Sequence, residues 1–184
     1  MKSLHKIAAL ALAGTLAIAA PASAVLKDGA KAPAFTAPAY LAGKPFTFDL
    51  AEALKKGPVV VYFFPAANTA GCNLEAHLFS EAVDEFKAHG ATVIGVTAGN
   101  TDQLETFSKD TETCGGKFAV AADQGAKIAR QYDALLPAKP GWSSRTSYVI
   151  TTGGTIAHAY SDLSPKQHVQ ETLDAVKALE QPGS

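Results

Sequence analysis

The sequence predicts an α/β protein, with a central mixed β-sheet flanked by helices and a β-hairpin extension at its N-terminal end. Three stretches carry that prediction. Residues 59–64, Val-Val-Val-Tyr-Phe-Phe, are β-branched or aromatic without a polar break, the pattern of a strand covered on both faces. Pro65 ends that run, and behind Cys72 the residues Leu74, Leu78, Ala82 and Phe86 recur at helical spacing until Gly90 stops the helix. Residues 92–97 then repeat the buried-strand pattern. Strands that alternate with helices in this way belong to a sheet with helices packed against it.

In chain order, residues 1–24 stand apart. Lys2 and Lys6 give a positive start, 7–20 is apolar, and Pro21-Ala22-Ser23-Ala24 ends in an Ala-x-Ala pattern, which together predict a cleaved signal peptide with Val25 as the new N-terminus. The apolar run is short and broken by Gly14 and Thr15, unlike the roughly 20 apolar residues of a spanning helix. Residues 25–184 read as one domain, exported to the periplasm or secreted. Without Lys2 and Lys6 the chain keeps 14 Lys and Arg against 17 Asp and Glu, a net charge of −3. No basic tract suits nucleic acid, no charge run suits a membrane surface, and the five histidines (5, 77, 89, 158 and 168) form no metal-ligand spacing.

Gly43-Lys44 reads as a turn, with Phe46, Phe48 and Leu50 alternating before a helix-prone 50–55, as in a hairpin at the edge of a sheet. Residues 101–113 read as a helix capped by Thr101 and ended by Gly115-Gly116, with Cys114 at its frayed end. A short strand over 118–120 and a short helix over 124–132 follow. The proline-rich 135–144 is a loop leading to Arg145, and Trp142 within it is expected to pack over the mouth of a pocket. Strands 146–151 and 155–160 join at Gly153-Gly154, and Ser164-Pro165 starts a final helix striped by Val169, Leu173, Val176 and Leu179.

Cys72 falls in the first turn of the helix that follows the central strand. Unpaired backbone N–H groups and the helix dipole favour an anion there, and a thiolate is the nucleophilic form of cysteine. Taken alone, such a cysteine reads equally as a small buried hydrophobe. Its neighbours go further. Pro65, Thr69 and Cys72 stand as Pro-x-x-x-Thr-x-x-Cys, which resembles the active-site signature of the peroxiredoxins. Asn68-Thr69-Ala70-Gly71-Cys72, with Glu75 three residues on, is similar to the branch called PrxQ or bacterioferritin comigratory protein. The entry segment Ala32-Pro33-Ala34-Phe35 and the strand Arg145-Thr146-Ser147-Tyr148-Val149-Ile150 match the same family, and the resemblance extends over about 26–180.

That resemblance implies a thioredoxin-like fold and a thiol-dependent peroxidase that uses no metal, haem or flavin. Cys72 would be the peroxidatic thiol, Arg145 would hold thiolate and peroxide oxygen, Thr69 would add a hydroxyl, Pro65 would shield the sulfur, and Glu75 would orient the arginine. Glu75 is also a favourable acid for a helix's first turn. The usual resolving position of the branch, five residues after Cys72, holds His77, so Cys114 is the candidate resolving cysteine. Two other readings stay open: Cys114 idle in a one-cysteine peroxidase, or a structural Cys72–Cys114 disulfide in a non-enzymatic module. The implied partners are a hydroperoxide and a thioredoxin-like or other thiol reductant, with the protein a monomer, and the absence of Cys-x-x-Cys argues against a thioredoxin-type oxidoreductase.

Overall fold

A computed structural model of the chain describes residues 25–180. The predicted signal peptide lies outside them. Seven strands, β1 (Thr36–Leu41), β2 (Lys44–Asp49), β3 (Val59–Phe63), β4 (Thr92–Thr97), β5 (Ala119–Ala122), β6 (Thr146–Ile150) and β7 (Ile156–Ser161), form one sheet in the order β2-β1-β5-β4-β3-β6-β7. β3, β4 and β5 run parallel, and the β1-β2 hairpin and the β6-β7 pair close the sheet with antiparallel neighbours on either side. Five helices flank it: α1 (Leu50–Leu54), α2 (Ala70–Ala88), α3 (Leu104–Lys109), α4 (Lys127–Gln131) and α5 (His168–Ala178).

Every residue of β3 is buried, and its side chains alternate between two apolar clusters as the two-residue period of a strand requires. Val59, Val61 and Phe63 face one cluster with Phe35, Leu50, Tyr132 and Tyr148. Val60, Tyr62 and Phe64 face the other with Phe79, Val83, Phe86, Phe107 and Val176, where α2, α3 and α5 cover the sheet.

Three local expectations are corrected. The buried stripe of α2 runs through Cys72, Glu75, Ala76, Phe79, Ser80, Val83 and Phe86, leaving Leu74 41% exposed, because the inner face accepts a charged residue and a serine that apolar counting passes over. The helix predicted over 101–113 is a single 3-10 turn (Thr101–Gln103) followed by the short α3. Asn100, in the left-handed conformation (φ 52°), spends its side-chain N–H on Ala67 O at 2.8 Å, and Thr101 does not cap. Asp110 then turns extended and ends α3. Cys114 therefore sits not at a frayed helix end but in a closed turn, where Gly115 N–H donates to Asp110 O at 2.8 Å and Gly116 N–H to Ser108 O at 2.9 Å. The last helix starts at His168, since Ser164 N–H is taken by Asp162 Oδ1 at 2.6 Å in a local turn.

Candidate active site

β3 delivers the chain to Pro65 at the C-terminal end of the parallel strands, and the loop from there to Thr69 is tied to the end of β4. Thr97 Oγ1 donates to Pro65 O at 3.1 Å, Ala66 bridges Gly99, and Asn100 holds Ala67 O. Asn68 takes a left-handed turn (φ 58°), Thr69 caps the backbone in extended conformation, and α2 begins. Cys72 is its third residue, 1% exposed, with its thiol free. The first-turn placement of Cys72 is as the sequence predicts.

Arg145, just before β6, comes to this turn from the neighbouring strand. Its side chain is buried and every part of the guanidinium is engaged: Nη2 lies 3.6 Å from Cys72 Sγ, Nη1 donates to Glu75 Oε2, and Nε donates to Leu163 O at 2.9 Å. Gly71 makes room, since a Cβ there would stand 3.1 Å from Nη2. Arg145 is thus brought onto Glu75 and Cys72 from 70 and 73 residues along the chain. Thr69 is half-buried beside them, but its Oγ1 donates to Ala66 O at 3.0 Å, which leaves it an acceptor toward the site. Half-buried Pro65 flanks the loop. Trp142 packs beside Gly99, where a Cβ would stand 3.1 Å from its ring, with Lys139 Nζ 3.1 Å above the ring.

Glu75 is wholly buried. Burial pushes its carboxyl up to about 8, against the pull of the Arg145 charge and hydrogen bond. Its second oxygen, Oε1, has no hydrogen-bond partner and lies 3.7 Å from Nδ1 of His168. That histidine is also fully buried, and burial lowers its pKa to about 4. Nε2 is 2.9 Å from Asp162 O, a pure acceptor, so Nε2 carries the proton and Nδ1 accepts from Ser147 Oγ at 2.7 Å. A chain of contacts therefore runs from Cys72 through Arg145 and Glu75 to His168 and Ser147. Sequence reading did not find His168 or Ser147; the only local signal was a histidine at the start of an otherwise amphipathic helix.

Cys114 lies in the same apolar cluster as Cys72, fully buried, and burial raises its thiol well above the ordinary cysteine range. Among the described residues no group of three or more His, Cys, Asp or Glu could hold a metal ion, and no helix is long and apolar enough to cross a membrane. A cavity of about 520 Å³ lined by Phe46, Phe48, Val83, Val93 and Phe118 opens at the opposite end of the parallel strands and shares no residue with this site.

A buried cysteine at a helix N-terminus, faced by an arginine from the next strand on a thioredoxin-like sheet, defines a thiol-reactive protein of the peroxiredoxin class. The chain belongs to the AhpC/TSA family, whose profile it matches over residues 29–159. Among curated relatives it is similar to the chloroplastic peroxiredoxin Q of Sedum lineare, 31% identical over 129 residues, and to that of Gentiana triflora, 34% identical over 123 residues. These alignments cover 68% and 65% of this chain but 66% and 54% of the relatives, so the chain spans less than two thirds of their length. In fold it resembles peroxidoxin BcpB of Mycobacterium tuberculosis, with a TM-score of 0.74 at 24% identity, covering 85% of this chain and 99% of that one. A 2-Cys peroxiredoxin of Plasmodium vivax matches with a TM-score of 0.73 at 21% identity over 83% of this chain and 96% of that one.

Proposed function

We propose that this protein is a thiol-dependent peroxidase that reduces hydrogen peroxide and organic hydroperoxides through Cys72. The observation that carries the proposal is the guanidinium of Arg145 set 3.6 Å from Cys72 Sγ inside a buried helix turn. A cation and the N–H groups of a helix N-terminus beside one sulfur stabilise an oxyanion formed there. The Cys72 thiolate attacks one peroxide oxygen, the S–O bond forms as the O–O bond breaks, and the departing oxygen takes a proton to leave as water or an alcohol. Arg145 steadies the charge on that departing oxygen, and the lone pairs of Thr69 Oγ1 accept from the peroxide O–H. Pro65 keeps water from the open side of the sulfur, while Glu75 fixes the guanidinium in the plane facing Cys72.

Cys72 is left as a sulfenic acid, which a second thiol removes before further oxidation. Cys114 is the resolving thiol in this reading. The sulfurs meet only if the first turn of α2 opens, because a disulfide needs Cα atoms within about 7 Å. A dithiol reductant of the thioredoxin kind then restores both thiols. The signal-like residues 1–24 support action outside the cytoplasm, as a monomer. The complete burial of Cys114 favours one second reading, a one-cysteine peroxidase recycled by an external thiol. Mixing reduced protein with one equivalent of hydrogen peroxide, and following peroxide and both thiols, separates these. Rapid loss with a Cys72–Cys114 disulfide is expected; a sulfenate at Cys72 with Cys114 free selects the second reading, and loss no faster than with a free thiol removes the enzyme.

A further inference from the structure

Tyr62 carries the only hydroxyl in β3. Its ring is fully buried, stacked on Phe79 at 4.4 Å and Phe64 at 5.4 Å between centroids, and edge-on to Phe118 at 6.0 Å. Its phenol oxygen is the one buried hydroxyl without a hydrogen-bond partner among the described residues. Such a group costs stability that a phenylalanine at the same place would not. All three ring neighbours are phenylalanines, so packing alone gives no reason for the oxygen.

Its direction is set by Gly95, the register partner on β4. A Cβ at Gly95 would stand 2.7 Å from the phenol oxygen, so the ring lies across β4, in space that any other residue would fill. β4 borders β5, which the chain enters from the closed turn that bears Cys114. Tyr62 shares its buried cluster with Cys72 and Cys114, and burial raises its phenol well above the ordinary tyrosine range, with smaller contributions from Cys114, Glu75 and Cys72.

We propose that Tyr62 relays the proton in the condensation that joins Cys72 to Cys114. The inference rests on the reading of Cys114 as the resolving thiol. Cys114 is fully buried and its thiol is pushed well above the ordinary cysteine range, so it attacks as the thiol and its proton has to leave as the S–S bond forms. The Cys114 sulfur attacks Cys72 Sγ of the sulfenic acid, and the S–S bond forms as the S–O bond breaks. The thiol proton passes to the phenol oxygen while the phenol proton passes to the departing hydroxide. One water leaves, the phenol is restored, and the two electrons taken up by the peroxide are those of the two thiols. When the first turn of α2 opens, Tyr62 stays in place, because it belongs to the central strand.

The test compares wild type and Tyr62→Phe, each mixed in reduced form with one equivalent of hydrogen peroxide, with sulfenic acid trapped by dimedone and disulfide counted by mass spectrometry. The disulfide phase is expected to slow about 100-fold relative to the oxidation phase, the size of a general acid–base contribution, with sulfinic Cys72 accumulating. The solvent deuterium isotope effect on that phase is expected to shrink. An unchanged ratio of the two phases, in a variant that melts as cooperatively as wild type, overturns the relay. A slower phase with an undiminished isotope effect also overturns it, since the hydroxyl would then act by packing. Absence of the disulfide in wild type overturns the reading of Cys114 and the relay together, and that outcome is visible before any variant is made.

Discussion

His168 gives the sharpest quantitative expectation, because its ring is sealed against charge. Glu75, Arg145, Ser147 and the Asp162 carbonyl face it, and Tyr160 lies edge-on at 4.8 Å. Its pKa falls from 6.5 to about 4 in the fold. A lowered folded value means that the unfolded chain binds the proton more tightly, so this group's contribution is complete above pH 6.5 and is lost as pH falls toward 4. Between pH 7 and pH 4 the loss comes to about 3 kcal/mol, from 1.36 kcal/mol per pKa unit. Glu75 works the other way. Its raised value stabilises the fold below its ordinary range, and that contribution fades as pH rises through about 8. The wild-type curve sums both, so the observable is the difference between wild type and His168→Gln, measured by urea unfolding of reduced protein at pH 7, 5.5 and 4. Wild type should lose about 3 kcal/mol relative to the variant across that range. Parallel curves would show that His168 is not held neutral and would remove it from the chain of contacts behind Arg145.

Three further expectations address the site itself. Arg145→Ala should slow Cys72 oxidation by about 100-fold or more, on the scale of losing one donor to a developing oxyanion; a stopped-flow rate within a few-fold of wild type would take the guanidinium out of the reaction. Gly71→Ala places a methyl 3.1 Å from Arg145 Nη2 and should slow the same step about tenfold by shifting the guanidinium, with no loss of cooperative unfolding; an unaltered rate would mean that the arginine gives way without consequence. Tyr62→Phe removes an unpaired buried hydroxyl and should raise the stability of the reduced protein by about 1 kcal/mol in urea unfolding, whereas a loss of that size would show that the phenol has a partner in solution.

The legible parts of this chain are those whose physics is local. The central strand announces itself because Val59, Val61 and Phe63 must be as apolar as Val60, Tyr62 and Phe64 when both faces are covered. The place of Cys72 in a helix's first turn is legible locally, but its role is read from the resemblance of Pro65, Thr69 and Cys72 to the peroxiredoxin signature, since such a cysteine alone reads equally as a buried hydrophobe. His168 and Tyr62 are legible only in three dimensions, and Glu75 is tied to Arg145 in the sequence only through the family resemblance. Glu75 is the sixth residue of α2, past the first turn where the sequence offers it as a favourable acid, and the arginine that justifies its burial is 70 residues away. His168 looks like an ordinary first-turn residue until Asp162 and Ser147 fold back onto its two nitrogens. Tyr62 passes for one more aromatic in a β-run, and its unpaired oxygen becomes visible only against Gly95. Two of these residues carry polar atoms that the fold buries and leaves unmatched, Glu75 Oε1 and the Tyr62 phenol. Both stand on the face of the sheet that carries Cys72 and Cys114, whereas the apolar cluster on the opposite face holds no such atom among the described residues. An unmatched buried oxygen opposes folding wherever it stands. Glu75 Oε1 belongs to a carboxyl group bonded to Arg145, so its cost is tied to the guanidinium that faces Cys72 and not to the packing of the sheet.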